Sequence, residues 1–232
     1  MDEGRLLSRA ILTAKESGRV PVIADIKPVS PRDGNLLGAR GPVQWARLLE
    51  EAGVCALSVV TEQQHFGGSM EIFREVVRAT HLPVLRKDFV SDPRHVMESH
   101  EAGAGAVLLI MATTPDSLAS RLHRQIRALG MEAVVEVHSR EELDRALSLE
   151  PAIVGINNRN ILELETDSGD VLITEEIAPL VPEHVLVISE SSLRSSHEIR
   201  RAFQAGADAV LVGTALLLSP DPRSFLVDIA GV

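Results

Sequence analysis

Two lysines and two carboxylates stand where short apolar runs of the sequence end. Asp25 and Lys27 close the first run, Lys87 closes the third and Glu136 closes the fifth. Carboxylates and lysines that are partly buried together shift each other's pKa values, which suits general acid–base catalysis. A lysine in such a set can donate a proton to a carbonyl oxygen or form a Schiff base. Residue chemistry leaves both uses open, and a structural salt bridge is the alternative for any single pair.

The sequence disfavours a metal site near these residues. Its eight histidines are scattered, with no His-x-x-x-His pair at a strand end. The single cysteine, Cys55, excludes both a cysteine-rich zinc site and an internal disulfide framework. His138 is the one histidine beside the predicted site, and we expect it to support neighbouring side chains rather than to bind metal. We therefore predict no metal.

Small residues follow the last two apolar runs, as Ser191-Ser192 and Gly213-Thr214. Barrels of parallel strands hold phosphate in the corresponding loops, where backbone N–H groups meet the dianion. A short helix predicted over Thr214–Leu218 would add its N-terminus. Ordinary turns are the alternative, because Ser, Gly and Thr are common in turns. The occurrence in both loops favours phosphate binding.

Eight apolar, β-branched runs of strand length recur along the chain. Near-continuous apolar strands are typical of a parallel sheet that is covered on both faces. Their alternation with helical segments predicts a closed (β/α)8 TIM barrel, whose active site lies at the carboxyl ends of the strands. An open doubly wound sheet is the alternative, but no Gly-x-Gly-x-x-Gly follows the first strand. The predicted strands are Val20–Ile26, Cys55–Val60, Pro83–Leu85, Gly105–Ile110, Glu132–Val137, Ala152–Ile156, Val185–Ser189 and Asp208–Val212.

Helical periodicity fills segments between these strands, and a further short helix is predicted before the first strand, over Arg5–Ser17. Gly53, Gly103 and Gly206 each precede a strand, and we expect them to end helices in the left-handed conformation. No linker divides the chain, so we predict one domain over residues 1–232. The other predicted helices include Val43–Glu51, Met70–Ala79, Pro115–Leu129, Ser139–Leu147 and Ser196–Gln204.

Charge and hydropathy exclude several classes of protein. The net charge of -10 lacks the basic footprint of a nucleic-acid-binding protein. No apolar run is long enough to span a bilayer, and the first residues lack the features of a signal peptide. We predict a cytoplasmic enzyme with no nucleic-acid or membrane partner.

Six motifs fall in order along the chain, each on a predicted strand and its following loop. They are Ile23-Ala24-Asp25-Ile26-Lys27 with Ser30-Pro31, Ser58-Val59-Val60-Thr61 with Phe66-Gly67-Gly68-Ser69, Leu85-Arg86-Lys87-Asp88-Phe89, Val135-Glu136-Val137-His138, Gly155-Ile156-Asn157-Asn158-Arg159 and Ser189-Glu190-Ser191. Together they resemble the indole-3-glycerol-phosphate synthases of tryptophan biosynthesis. The resemblance runs from about Val20 to about Pro222, and six motifs in order are far more specific than any one.

The resemblance implies a monomeric, cofactor-independent carboxy-lyase acting on a small phosphorylated substrate, 1-(2-carboxyphenylamino)-1-deoxyribulose 5-phosphate. Ring closure, decarboxylation and dehydration would give the indole. Lys87 would be the general acid on the ketone oxygen and Glu136 a base. Lys27 and Asp25 would assist dehydration, and Asn157 would bind sugar hydroxyls or order the acids. Which lysine acts in which step stays open.

The resemblance also implies a set of substrate contacts. Ser30 and Arg159 would hold the substrate carboxylate, Phe66 and Phe89 would flank the aromatic ring, and Glu190 belongs to the substrate-binding set. The phosphate would be held by Ser191, Ser192, Gly213 and Thr214.

Two residues depart from the family pattern. Asp25 replaces the usual glutamate and is one methylene shorter, and a carboxylate misplaced by about 1 Å can cost roughly 10²-fold in rate. Ser192 replaces a glycine, which matters if the backbone there has positive φ. A barrel that only binds a phosphorylated metabolite, or one with a shifted substrate, is therefore an alternative. Phosphoribosylanthranilate isomerase is disfavoured, because it uses a cysteine on the first strand and an aspartate on the fifth.

Overall fold

A computed structural model describes residues 6–164, 166–167 and 169–230, and in it eight parallel strands close into a barrel. The barrel order is β1-β10-β9-β8-β7-β6-β5-β4, which confirms the predicted (β/α)8 fold. A two-stranded antiparallel hairpin, β2 and β3, follows the first barrel strand and was not predicted. The strands are β1 (Val22–Ile26), β2 (Val29–Ser30), β3 (Gly34–Asn35), β4 (Ala56–Val60), β5 (Val84–Lys87), β6 (Ala106–Ile110), β7 (Glu132–Val137), β8 (Ile153–Asn157), β9 (Leu186–Glu190) and β10 (Ala209–Val212).

Helices alternate with the barrel strands, and several begin at a side chain that caps the first turn. The hydroxyls of Ser69 and Ser139 accept hydrogen bonds from backbone N–H groups, as N-caps do. Gly53, Gly103 and Gly206 have the predicted positive φ after α2, α4 and α8. The helices are α1 (Leu7–Glu16), α2 (Pro42–Glu51), α3 (Met70–Ala79), α4 (Pro93–Glu101), α5 (Asp116–Ala128), α6 (Arg140–Leu147), α7 (Leu172–Ile177), α8 (Ser196–Gln204), α9 (Thr214–Leu217) and α10 (Pro222–Ala230).

The predicted helix before the first strand is α1, which packs under the amino ends of the barrel strands. Arg5, its predicted first residue, lies outside the described residues. Leu7, Ile11 and Ala14 are buried in one cluster with the lower interior of the barrel. Burying this apolar face covers the lower end of the barrel, as helix amphipathicity predicts. No helix of the described part of the chain is long and apolar enough to cross a membrane.

The register of the parallel strands sets which side chains meet at the upper mouth. Asp25 of β1 pairs with Ser58 of β4, and Asn157 of β8 pairs with Glu190 of β9. Glu136 of β7 pairs with Gly155 of β8. Because the carboxyl ends of all eight strands open on the same side, these polar residues lie around one rim.

Candidate active site

Lys87 lies between two buried carboxylates at the centre of the mouth. Its Nζ donates to Glu190 at 2.6 Å and to Glu136 at 3.3 Å. The carboxylate side chains are 1–2% exposed, whereas the Lys87 side chain is 12% exposed. Buried charges of this kind require close partners, because desolvation is costly. The predicted acid–base residues Lys87 and Glu136 are therefore brought together, and Glu190 joins them.

Gly155 makes room for one of these carboxylates. A Cβ added at Gly155 would lie 2.5 Å from Glu190 Oε1, closer than such contacts allow. The glycine on β8 thus lets the Glu190 side chain extend across the barrel interior toward Lys87. This contact gives Gly155 of the sequence motif a steric role.

Asp25 and Lys27 both line the mouth beside Lys87. Ser58 Oγ donates to Asp25 Oδ1 at 2.6 Å, so the shorter acid is tied to the neighbouring strand. Lys27 is 7% exposed, and its Nζ lies 5.5 Å from the centre of the Phe66 ring. At that distance a cation is attracted by the face of an aromatic ring. The two residues are fixed by groups from β4 and its loop.

Asn157 lies fully buried beside Glu190. Its Oδ1 accepts from the backbone N–H of Arg159 at 3.0 Å. Among the described residues, no group is within hydrogen-bond reach of its Nδ2, which faces the buried interior. His138 Nδ1 contacts the Asn157 carbonyl oxygen at 2.7 Å, so this histidine supports the backbone at the end of β8. A buried amide donor without a partner is rare in folded proteins.

A cavity of about 440 Å³ extends from the two lysines to the loops after β9 and β10. Ser191, Ser192, Gly213 and Thr214, the residues predicted to hold a phosphate, all line it. The sequence left the sign of φ at Ser192 open, and the structure gives +58° there and +65° at Ser191.

The carboxamide of Asn158 holds this strained loop in place. Its Nδ2 donates to the carbonyl oxygens of Glu190 at 3.0 Å and Ser191 at 3.2 Å. Its Oδ1 accepts from both the backbone N–H and the hydroxyl of Thr174. Two adjacent non-glycine residues with positive φ persist only where surrounding contacts enforce them, and Asn158 supplies such contacts.

A small apolar pocket of about 30 Å³ opens on the opposite side of the lysines. Phe66 and Phe89, predicted to flank an aromatic ring, both line it, together with Ile161. Lys27 and Lys87 line this pocket and the larger cavity alike. The two cavities therefore meet at the lysines.

The β2–β3 hairpin contributes a carboxylate to the mouth. Ser30, predicted to hold the substrate carboxylate, donates to Asp33 Oδ2 at 3.1 Å. Burial raises the pKa of Asp33, but hydrogen bonds from Arg32 and Ser30 and the positive charges of Arg32 and Arg159 outweigh it and hold that pKa below its ordinary value. Asp33 thus remains an anion beside the two arginines.

Several mouth residues were missed by the sequence reasoning. Ser58 lay within a quoted motif, but its role depends on the register between β1 and β4. Arg32, Asp33 and Arg194 line the large cavity from loops without any periodic pattern. Arg32 and Asp33 could have been predicted to lie near the site, because they directly follow the Ser30-Pro31 motif.

Two further features bear on the chemistry. Cys55 is buried at the amino end of β4, and burial above all raises the pKa of its thiol to about 12. It is remote from the mouth, so a cysteine-dependent reaction there is disfavoured. In the described part of the chain, no three His, Cys, Asp or Glu side chains are grouped to hold a metal ion.

Buried lysines and carboxylates at the carboxyl ends of barrel strands, between an apolar pocket and a serine- and glycine-lined cavity, define an enzyme of the (β/α)8-barrel class. The family model described as indole-3-glycerol phosphate synthase matches residues 4–229. The chain belongs to the indole-3-glycerol phosphate synthase family.

Curated relatives agree with this family. The chain is 43% identical over 220 residues to an indole-3-glycerol phosphate synthase of Thermococcus kodakarensis, covering 95% of each chain. It is 40% identical to that of Pyrococcus furiosus, covering 95% of this chain and 94% of the relative. A solved structure of an N-acetylmannosamine-6-phosphate 2-epimerase from Clostridium perfringens is similar with a TM-score of 0.64 and 17% identity. It covers 86% of this chain and 89% of that chain, and shows the fold alone.

Proposed function

We propose that the chain converts 1-(2-carboxyphenylamino)-1-deoxyribulose 5-phosphate to indole-3-glycerol phosphate, as a cofactor-independent carboxy-lyase of tryptophan biosynthesis. The observation that carries the proposal is Lys87, held between Glu136 and Glu190 where the apolar pocket and the large cavity meet. We further propose that the enzyme is a cytoplasmic monomer. Sedimentation and cell fractionation test these two points.

The two cavities support one orientation of the substrate. Its aromatic ring lies against the apolar surface lined by Phe66 and Phe89, and its phosphate lies against Ser191, Ser192, Gly213 and Thr214. The sugar ketone then lies beside Lys87. An apolar site with a few convergent polar groups is the usual form of a small-molecule pocket.

The proposed first step is ring closure with loss of CO₂. The ring carbon that bears the carboxylate attacks the ketone carbon, and the ketone oxygen takes a proton from Lys87 to become a hydroxyl. The carbon–carbon bond to the carboxylate then breaks, CO₂ leaves, and its electron pair restores the aromatic ring. Glu136 and Glu190 orient the Lys87 ammonium through their ion pairs.

The proposed second step is dehydration. Lys27 protonates the new hydroxyl, which leaves as water. A proton then leaves the neighbouring CH₂ carbon to a carboxylate, and the electrons of that C–H bond form the indole double bond. Asp25, tied to Ser58, is the proposed acceptor, while Glu136, which is paired with Lys87, is the second proposed base.

Replacing the proposed general acid tests the reaction. Lys87→Ala should lower kcat by at least about 10²-fold, the usual range for losing a general acid, while KM changes by only a few-fold. The measurement is the fluorescence of the indole product. Lys15→Ala is the matched control, because Lys15 is a lysine at the opposite end of the barrel, paired with Asp208. Near-native turnover by Lys87→Ala would remove Lys87 from the mechanism.

A charge placed in the proposed phosphate loop tests the second half of the site. A Cβ at Gly213 would lie 3.2 Å from Asp25 Cβ, so Gly213→Asp adds bulk and negative charge in a tight space. We expect inhibition by inorganic phosphate to be lost. Gly41→Asp is the control, because Gly41 is exposed and has open space around it. Unchanged phosphate inhibition in a folded Gly213→Asp variant contradicts this location.

A further inference from the structure

The side chain of Ser192 bonds to an arginine, although the loop that carries it is proposed to bind phosphate. Its hydroxyl accepts a hydrogen bond from Arg159 Nε at 3.1 Å. Its backbone has φ of +58°, a region that is costly for a residue with a Cβ. A serine here carries that cost and makes a contact that glycine lacks.

Gly169, from the loop after β8, covers the same contact. A Cβ built at Gly169 would lie 2.0 Å from Ser192 Oγ and 2.7 Å from Arg159 Cγ. Any larger residue would displace the hydroxyl or the arginine. The loop therefore closes over the Ser192–Arg159 hydrogen bond only because residue 169 is glycine.

The hydrogen bond acts on the orientation of a buried arginine. Arg159 is 5% exposed and lines the large cavity together with Lys87 and Asp33. Its backbone N–H is already held by Asn157. Because Nε belongs to the rigid guanidinium plane, a bond at Nε sets the direction of the whole fork.

We propose that Ser192 is a positioning residue that sets Arg159 for the substrate's ring carboxylate, with its side chain serving that carboxylate while its main chain faces the phosphate. This inference rests on the proposed function. It makes one loop serve both anionic ends of the substrate, and it gives the departure from glycine a function. Gly169 completes the arrangement.

The test compares Ser192→Ala and Ser192→Gly with the unmodified protein. Ser192→Ala removes the hydroxyl and keeps a Cβ at positive φ, whereas Ser192→Gly removes both the hydroxyl and the cost. Calorimetry measures binding of two substrate analogues reduced at the ketone to an alcohol, one with the ring carboxylate and one without it. KM and kcat are measured in parallel with the full substrate.

We expect both variants to weaken binding of the carboxylated analogue about fivefold or more, the scale of one hydrogen bond to a charged group. Binding of the analogue without the carboxylate should change less than about twofold, since the phosphate contacts persist. KM should rise in parallel with the dissociation constant of the carboxylated analogue, and kcat should change less. The loss of binding in the double variant Gly169→Ala/Ser192→Ala should be smaller than the sum of the losses in the two single variants, because both changes act on the same hydrogen bond.

Three outcomes overturn the inference. Equal weakening of both analogues would make Ser192 a general structural residue. A Ser192→Gly variant that binds like the unmodified protein, beside an impaired Ser192→Ala, would assign the effect to backbone strain. Unchanged binding in both variants would leave the hydroxyl without a role. Failure of the proposed function is distinguishable, because it abolishes turnover by the unmodified protein, whereas the binding comparison needs no turnover.

Discussion

Asp25 illustrates how single residues fix the charges of the mouth. It is shorter than the glutamate of the family pattern, but it pairs in register with Ser58 and accepts its hydrogen bond at 2.6 Å. Gly213, directly after the other neighbouring strand β10, has no side chain to crowd it. The carboxylate is therefore held from β4, in a position that residue length alone did not predict.

Asp33 is expected to compete with the substrate carboxylate. Its anion is bonded to Ser30 and lies within the electrostatic range of Arg159, the two residues proposed to hold that carboxylate. Asp33→Asn keeps the size of the side chain but removes the charge, so KM for the carboxylated substrate should fall by roughly two- to fivefold. Steady-state kinetics at low salt measure this change. Asp92→Asn is the control, because Asp92 is the N-cap of α4, is paired with Arg94 and does not line the large cavity. A raised KM for Asp33→Asn would show instead that the anion organises the site.

Among the elements, β5 shows how one strand serves two faces. Lys87 points into the barrel, whereas Arg86 points outward under α4 and donates to the carbonyl oxygen of His95 and the hydroxyl of Ser99. Arg86 also donates to Asp88 at 2.9 Å, and Asp88 accepts from Thr61. The Asp88 of the sequence motif therefore anchors the strand end, which orients its neighbours Lys87 and Phe89.

Removing Arg86 should destabilise the fold more than it affects the chemistry. Arg86→Met keeps much of the apolar stem but leaves Asp88 and several acceptors without their donor, at an expected cost of about 3 kcal/mol in the free energy of unfolding. Urea unfolding followed by circular dichroism gives the value. Arg94→Met is the matched control, because Arg94 is an exposed arginine whose pair with Asp92 should contribute little. A stability equal to that of the control would contradict the anchoring role.

Individual strands and helices show where prediction from the sequence succeeded and where it failed. Strands such as β7 were found because they are short apolar runs buried on both faces. Helix α4 was predicted only by its end, at Gly103. It was given no bounds, because its inward face carries the polar Ser99, which meets Arg86, and its apolar periodicity is weak. The β2–β3 hairpin has strands of two residues, too short for any periodicity.

The candidate site shows a similar division. Strand-end polarity identified Lys87, Glu136 and Asn157, because the barrel rule places all such ends at one mouth. The partners Ser58 and Asp33 depend on strand register and on a loop conformation, and neither has a periodic signal. Roles of single residues in the reaction stay predictions until the variants are measured.

At the scale of the whole molecule, the barrel interior is divided into an apolar lower layer and a charged mouth. Ile23, Leu85 and Leu108 belong to the buried cluster that α1 closes from below. The charged residues lie above it, on the rim. Burial of the apolar layer stabilises the fold, and this stabilisation offsets the free-energy cost of the buried charges at the mouth.

The single thiol, buried at the amino end of β4, should report on the integrity of this layer. Thiolate is the reactive form, and at pH 8 a pKa of about 12 leaves roughly one Cys55 in 10⁴ ionised. In the native protein, labelling by a disulfide reagent should therefore be far slower than for free cysteine, and one thiol per chain should react in denaturant. Cys55→Ser controls for reaction elsewhere. Complete labelling within minutes under native conditions contradicts the buried position.

The pairing of β1 with β10 has a consequence for how the protein comes into being. Asp25 and Gly213 each follow a paired residue of that seam, Ala24 and Val212, and so lie beside each other, although almost the whole described chain separates them in sequence. Bringing such distant segments together is among the slowest and most entropically costly events of chain assembly. The acid of the first strand and the proposed phosphate loop of the last thus become neighbours only when the ring of strands closes. Half-assembled chains, in a refolding reaction or during synthesis, have no complete pocket in which to hold a reactive sugar phosphate. The rate at which catalytic activity returns during refolding therefore reports when the ring of strands closes.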